Sequence, residues 1–137
     1  MTWFNDNKFR KLDINGRGIT NEDFLLLCKN LSKFTNLREL SVNFGHCKNI
    51  TDDGFESFTT ALSRLTGLRV LSVNFGWCTQ ITNDGFKSFT TALLSFTSLR
   101  SLSVKFGNCR EISRQNTEQF EKLFQQQHPN CTFKSNF

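Results

Sequence analysis

Leu68-Arg69-Val70-Leu71-Ser72-Val73-Asn74-Phe75-Gly76-Trp77-Cys78 is the stretch on which the fold is decided. It recurs on both sides of itself. Leu37 to Cys47 reads LRELSVNFGHC and Leu99 to Cys109 reads LRSLSVKFGNC, at an interval of 31 residues each time. Residues 37–67 and 68–98 agree at 21 of 31 positions. Repetition with a period of about 20–50 residues marks a solenoid, in which a unit covers its apolar face with the next unit.

Within a unit, Leu40, Val42 and Phe44 alternate with Glu39, Ser41 and Asn43, and Gly45 ends the run. A period of two with β-branched and aromatic residues predicts a strand. Four such strands begin near Phe9, Leu37, Leu68 and Leu99. The first unit is truncated: Leu12 to Leu40 is 28 residues, whereas Ile19 to Ile50 is 31. The missing residues fall where later units carry the Phe-Gly-x-Cys extension.

Between strands the period lengthens. Phe55, Phe58, Ala61, Leu62 and Leu65 are spaced by three and four, one face of a helix. The pattern returns as Phe86, Phe89, Ala92, Leu93 and Phe96, and earlier as Phe24, Leu27, Leu31 and Phe34. Phe120, Leu123 and Phe124 mark a fourth helix, which Pro129 closes. Thr51 or Asp52 is placed to cap the second helix, where a carboxylate suits the positive end of the dipole. After Pro129 the alternation resumes. Counting back one period puts Phe133 on Leu102 and Phe137 on Phe106, which predicts an edge strand over 130–137. Its polar content and Lys134 discourage further stacking. Residues 1–8 read as a cap that lays Trp3 and Phe4 over the open face of the first unit.

The expected product is α/β: one domain over 1–137, a right-handed solenoid or horseshoe. About five parallel strands line its concave face and four helices its convex face. The units resemble leucine-rich repeats, through the L-x-x-L-x-L pattern of Leu37/Leu40/Val42, Leu68/Leu71/Val73 and Leu99/Leu102/Val104. Cys47-Lys48-Asn49-Ile50-Thr51-Asp52 is similar to the C-x-x-I-T-D of the cysteine-containing subclass, with weaker copies from Cys78 and Cys109. Here Phe44-Gly45 and their equivalents add two residues before the Cys, so the unit is nearer in length to the ribonuclease-inhibitor-like subclass. The resemblance implies protein–protein binding through the concave face and neighbouring loops, and names no partner. No F-box-like helical segment precedes the repeats, which counts against a ubiquitin-ligase adaptor.

Composition narrows the classes. Of 137 residues 16 are Phe and none is Tyr. The net charge of +5 comes from 17 basic residues scattered along the chain, and specific nucleic-acid binding would want them in a stripe. No apolar run approaches the ~18 residues of a membrane span. The N-terminus has no secretory h-region. Cys47, Cys78 and Cys109 share one repeat position, which reads as a buried stack and not as a disulfide framework or a zinc site. That places the chain in an intracellular, reducing compartment, the cytoplasm before an organelle.

The candidate binding residues are those the core does not use. Arg10, Arg38, Arg69 and Arg100 occupy one position in all four units and form a basic ladder. Like charges at such spacing repel by about 1 kcal/mol per pair even in water, so an acidic partner, a carbonyl or solvent must offset them. The outward strand columns run Lys11, Glu39, Val70, Ser101; then Asp13, Ser41, Ser72, Ser103; then Asn15, Asn43, Asn74, Lys105, and their Ser and Asn ladders either meet a partner or hydrogen-bond along the sheet. His46, Trp77 and Asn108 share one loop position that varies between an invariant Gly and Cys. Trp77 is the best single hot-spot candidate, since hot spots favour Trp, Tyr and Arg, and packing on the adjoining loop is the equal alternative. Catalysis has little support: His46 and His128 are far apart, and neither a nucleophile elbow nor a P-loop is present. The expectation is a non-enzymatic interaction module without cofactor, metal or small-molecule substrate. A structural subunit or scaffold of a larger assembly is preferred to a free inhibitor-type protein that grips one target.

Overall fold

A computed structural model of the chain describes residues 8–137. Strands and helices alternate: β1 (Lys11–Asn15), α1 (Asn21–Leu31), β2 (Glu39–Asn43), α2 (Asp52–Ser63), β3 (Val70–Asn74), α3 (Asn83–Leu94), β4 (Ser101–Lys105), α4 (Arg114–Gln127) and β5 (Thr132–Asn136). The five strands form one parallel sheet in sequence order. The register is the repeat interval: Leu12, Leu40, Leu71, Leu102 and Phe133 lie side by side, as do Ile14, Val42, Val73, Val104 and Ser135. The edge strand expected after Pro129 is therefore present, with Phe133 on Leu102. Sheet pairing starts two residues after Phe9, Leu37, Leu68 and Leu99, at Lys11, Glu39, Val70 and Ser101. Leu37 and Leu68 are tied into the preceding turns by bonds from their N–H groups to Phe34 O and Leu65 O. The cap expected over residues 1–8 lies, apart from Lys8, outside the described residues.

Helices pack on helices in the same order as strands on strands, α1 on α2, α2 on α3 and α3 on α4. The inward rows of both layers enclose one core. Phe44, Phe75, Phe106 and Phe137 stack along the array, with centroids 5.4, 5.6 and 6.3 Å apart. Phe75 also meets Phe55 at 4.8 Å and Phe58 at 5.3 Å from the helix layer. Of the apolar positions expected on α2, Phe55, Phe58, Ala61, Leu62 and Leu65 are all buried. A buried polar column accompanies them. Thr59 sits in it with its hydroxyl donating to Phe55 O at 3.3 Å, which is how a helix accommodates an inward Thr.

The helix starts depart from expectation. Thr51 is the N-cap residue of α2 but its side chain makes no capping bond. Asp52 does not cap its own helix. Its Oδ1 accepts the N–H of Thr82 at 2.8 Å and its Oδ2 accepts the Thr82 hydroxyl, both one repeat ahead. Asn83 does the same for the next junction, taking the Ser113 N–H at 2.7 Å. The Asp52 side chain crosses over Gly85, and that of Asn21, one repeat earlier, over Gly54. A Cβ at Gly85 would fall inside the Asp52 carboxylate, and one at Gly54 would lie 2.9 Å from Asn21 Oδ1. That explains Gly within a helix, where it costs roughly 1 kcal/mol relative to Ala. At the first junction Asn21 holds the equivalent place, with its Oδ1 buried and without a hydrogen-bond partner among the described residues.

Candidate protein-interaction surface

The loop after each strand is built by the backbone of its neighbours. Gly18 N–H donates to Gly45 O at 3.0 Å, His46 N–H to Gly76 O at 2.8 Å and Trp77 N–H to Gly107 O at 2.8 Å. Gly18, His46, Trp77 and Asn108 are thus one structural column, and all four have positive φ, 70°, 62°, 62° and 63°. The first unit therefore keeps this turn, and what it lacks relative to the second lies after it, where Cys47, Lys48 and Asn49 stand. The left-handed conformation costs a residue with a Cβ roughly 1–2 kcal/mol, least for Asn. Gly18 and Asn108 suit the position by chemistry. A bulky Trp there is an outlier.

Trp77 reaches back over the preceding loop and stacks on His46, with ring centroids 5.9 Å apart and planes 12° apart. It keeps 41 % of its surface exposed. Packing on the adjoining loop and availability to a partner, which the sequence poses as alternatives, hold together. Arg17, Asn43, His46, Asn74 and Trp77, with Gly45 and Gly76, line a groove of about 170 Å³. A larger hollow of about 660 Å³ lies at the C-terminal end of the array, against Phe106, Ile112 and Phe137. It is the space that a neighbouring repeat fills in the interior.

The outward columns fall in register as expected: Lys11, Glu39, Val70, Ser101 and Thr132; Asp13, Ser41, Ser72, Ser103 and Lys134; Asn15, Asn43, Asn74, Lys105 and Asn136. The asparagines do not bond across the sheet. Asn43 Oδ1 accepts the Gly45 N–H and Asn74 Oδ1 the Gly76 N–H, each at 2.9 Å, and Asn15 Oδ1 accepts the Arg17 N–H at 3.3 Å. Each closes the turn that follows its own strand, an Asx turn.

The arginines form their ladder through the backbone. Arg38 N–H donates to Arg10 O, Arg69 N–H to Arg38 O and Arg100 N–H to Arg69 O, all at 2.7 Å. The Arg38 guanidinium reaches Gly67 O at 3.4 Å, and a Cβ on Gly67 would strike it. Arg69 and Arg100 are exposed. The ion pair between described residues is Arg114 with Glu118, out on α4, so none of Arg38, Arg69 and Arg100 has a described carboxylate at ion-pair distance.

The cysteine column is buried, and its thiols also bond. Cys78 Sγ donates to Phe44 O and Cys109 Sγ to Phe75 O, each at 3.1 Å, and Cys47 Sγ to Gly16 O at 3.5 Å. Each thiol so ties a repeat to the one before. Burial pushes the Cys78 and Cys28 thiols up to about 12, and raises Cys47 and Cys109 as well. These sulfurs are held as neutral thiols, the form without nucleophilic character. The junction bonds of Asp52, the left-handed column and the thiol bonds were not read from sequence. The glycines at 54 and 85, inside otherwise helical patterns, are the one signal that points to the first of these.

The structure is similar to that of leiomodin-1 actin-binding site 2, with a TM-score of 0.62 over 93 % of this chain and 70 % of that one. Sequence identity is 18 %, so the likeness is one of fold. No protein-family model matches the sequence, and no curated protein matches it. No helix among the described residues is long and apolar enough to cross a membrane. Five parallel strands and four helices alternate along this chain, as the period of its sequence predicts.

Proposed function

We propose that the protein is a non-enzymatic protein–protein interaction module whose contact surface is the outward strand face together with the loop column at His46, Trp77 and Asn108. The observation that carries this reading is Trp77, a large ring held in a left-handed backbone, stacked on His46 and still 41 % exposed. Backbone strain kept at an exposed aromatic fits a role in recognition. The fold likeness to leiomodin-1 actin-binding site 2 supports the same class. In this reading the crossovers are right-handed, as strand–helix–strand connections are in nearly all parallel sheets, and the strands lie on the concave side. The units are then long repeats of the cysteine-containing, ribonuclease-inhibitor-like type.

The test is native co-purification with the protein as bait, repeated with Trp77→Asn and Ser72→Arg. The expected result is a stoichiometric set of neighbours that both substitutions release while the thermal midpoint stays put. Retention of every neighbour by both variants overturns the reading. A fixed set of several neighbours favours a structural subunit, and one exchangeable target a free inhibitor.

A further inference from the structure

We propose that the groove beside Trp77 takes an acidic, extended segment of a partner protein, its carboxylates received by the row Asn15, Asn43, Asn74 and Lys105. This deepens the interaction-module reading and rests on it.

The argument begins with the asparagine side chains. A backbone N–H can only donate. The atom of Asn43 that meets the Gly45 N–H is therefore the oxygen, and the same holds for Asn74 with Gly76 and Asn15 with Arg17. Each carboxamide is thereby fixed with its oxygen turned to the backbone and its NH₂ left over. Neither Asn43 Nδ2 nor Asn74 Nδ2 has a hydrogen-bond partner among the described residues, and both side chains line the groove. Lys105 continues the row on β4, and a lysine only donates. Strands lie about 4.8 Å apart, so the four residues place donors along about 14 Å, the length of roughly four extended residues.

The surroundings carry the same preference. Arg17 lines the groove, and neither it nor Lys105 has a described carboxylate at ion-pair distance. Lys134 stands on the next strand in the adjoining column, and Asp13 is the carboxylate of that column, at the β1 end. A ligand for this row must bring acceptors, and a negative one gains charge-assisted bonds. The Trp77–His46 shelf beside it offers a flat apolar wall, which fits the stem of a Glu or an aromatic neighbour better than a bare ion. A polypeptide with consecutive acidic residues meets both demands.

Trp77 is the reporter for the experiment. Trp3→Phe leaves it as the one tryptophan of the chain. This protein is titrated with blocked hexaglutamate, and in parallel with hexalysine, an oligouridylate of equal length and inorganic phosphate, following Trp77 emission at low and high salt. The decisive variant is Asn43→Asp with Asn74→Asp. It retains the oxygens that take the Gly45 and Gly76 N–H groups, so the turns stay closed, while the donors are replaced by negative charge. The expected result is a saturable, salt-sensitive response to hexaglutamate that weakens at least about tenfold in the double variant, its thermal midpoint retained. Absence of a saturable response overturns the proposal, as does equal binding by a folded double variant. Binding of the oligouridylate or phosphate as tight as that of hexaglutamate also overturns it, since the site would then be a general anion site. If the double variant unfolds, Lys105→Glu serves in its place, with the same two outcomes. Failure here while Trp77→Asn still releases captured neighbours removes the acidic class of partner and leaves the interaction module standing. Failure of both removes both.

Discussion

A single backbone conformation ties Trp77 to its neighbours. Its φ of 62° suits Gly18 and Asn108 in the same column, so the ring is retained against a local preference of roughly 1–2 kcal/mol. Stacking on His46 returns about 0.5–1.5 kcal/mol. These nearly cancel, and Trp77→Asn is expected to shift stability by no more than ~1 kcal/mol in urea denaturation. A loss above ~2 kcal/mol would make the ring structural. Cys78 behaves in the opposite way, because it is fully buried and its thiol serves a carbonyl of the previous repeat. Cys78→Ala is expected to cost about 1–3 kcal/mol, the range for a buried hydrogen-bonding partner removed. The thiol also sets a pH dependence. The folded state holds Cys28 and Cys78 near 12 against an ordinary 9.0, so the unfolded chain loses these protons first as pH rises. Their contribution is intact below pH 9 and is lost as pH climbs from 9 toward 12. Urea midpoints measured from pH 8 to 11 should fall, and fall less steeply in Cys78→Ala than in the parent.

Between elements, the junctions matter more than the caps. Asp52 closes the start of α3, one repeat away, and Gly85 exists to let its carboxylate pass. On an isolated helix Gly→Ala gains about 1 kcal/mol. Here Gly85→Ala is expected to destabilise, and Asp52→Ala alone to cost about 1–2 kcal/mol as a lost cap. The two are coupled: in the Asp52→Ala background the cost of Gly85→Ala should shrink by at least ~1 kcal/mol, because the blocking carboxylate is gone. A double-mutant cycle by chemical denaturation measures this, and additive effects would refute the junction. At the first junction this bond is missing: Thr51 makes no side-chain cap, and Asn21 Oδ1 finds no donor among the described residues.

At the scale of the whole array, stability is unequal from centre to end. Phe75 meets rings from three helices, at Phe24, Phe55, Phe58 and Phe89, and the rings of Phe44 and Phe106 on either side, while Phe137 has a neighbour on one side and 36 % of its surface exposed. Phe75→Ala should cost about 3–5 kcal/mol, the range for a fully buried Phe, and Phe137→Ala under half of that. Hydrogen exchange should follow the same gradient, with amides of β3 slowest and those of β5 fastest, as in a linear array of nearest-neighbour contacts. Uniform protection across the sheet would contradict it.

The period of 31 residues by itself determined the strand order, the parallel register and nearly all of the core. A solenoid repeats its contacts at the interval of its sequence, so Leu40, Leu71 and Leu102 have to meet. It also determined which residues face outward, and so the candidate surface as a set of columns. What those columns do was left to the tertiary structure. Asn43 and Asn74 look like a ladder across strands and prove to be turn closures with a donor to spare. Asp52 looks like a cap for its own helix and serves the next one. Cys47, Cys78 and Cys109 look like filler and donate to carbonyls one repeat back. The physical reason is shared. A side chain's partner is whichever group lies within about 3 Å in space, and here that group stands some thirty residues away or on a turn whose left-handed backbone no pattern of apolar residues encodes.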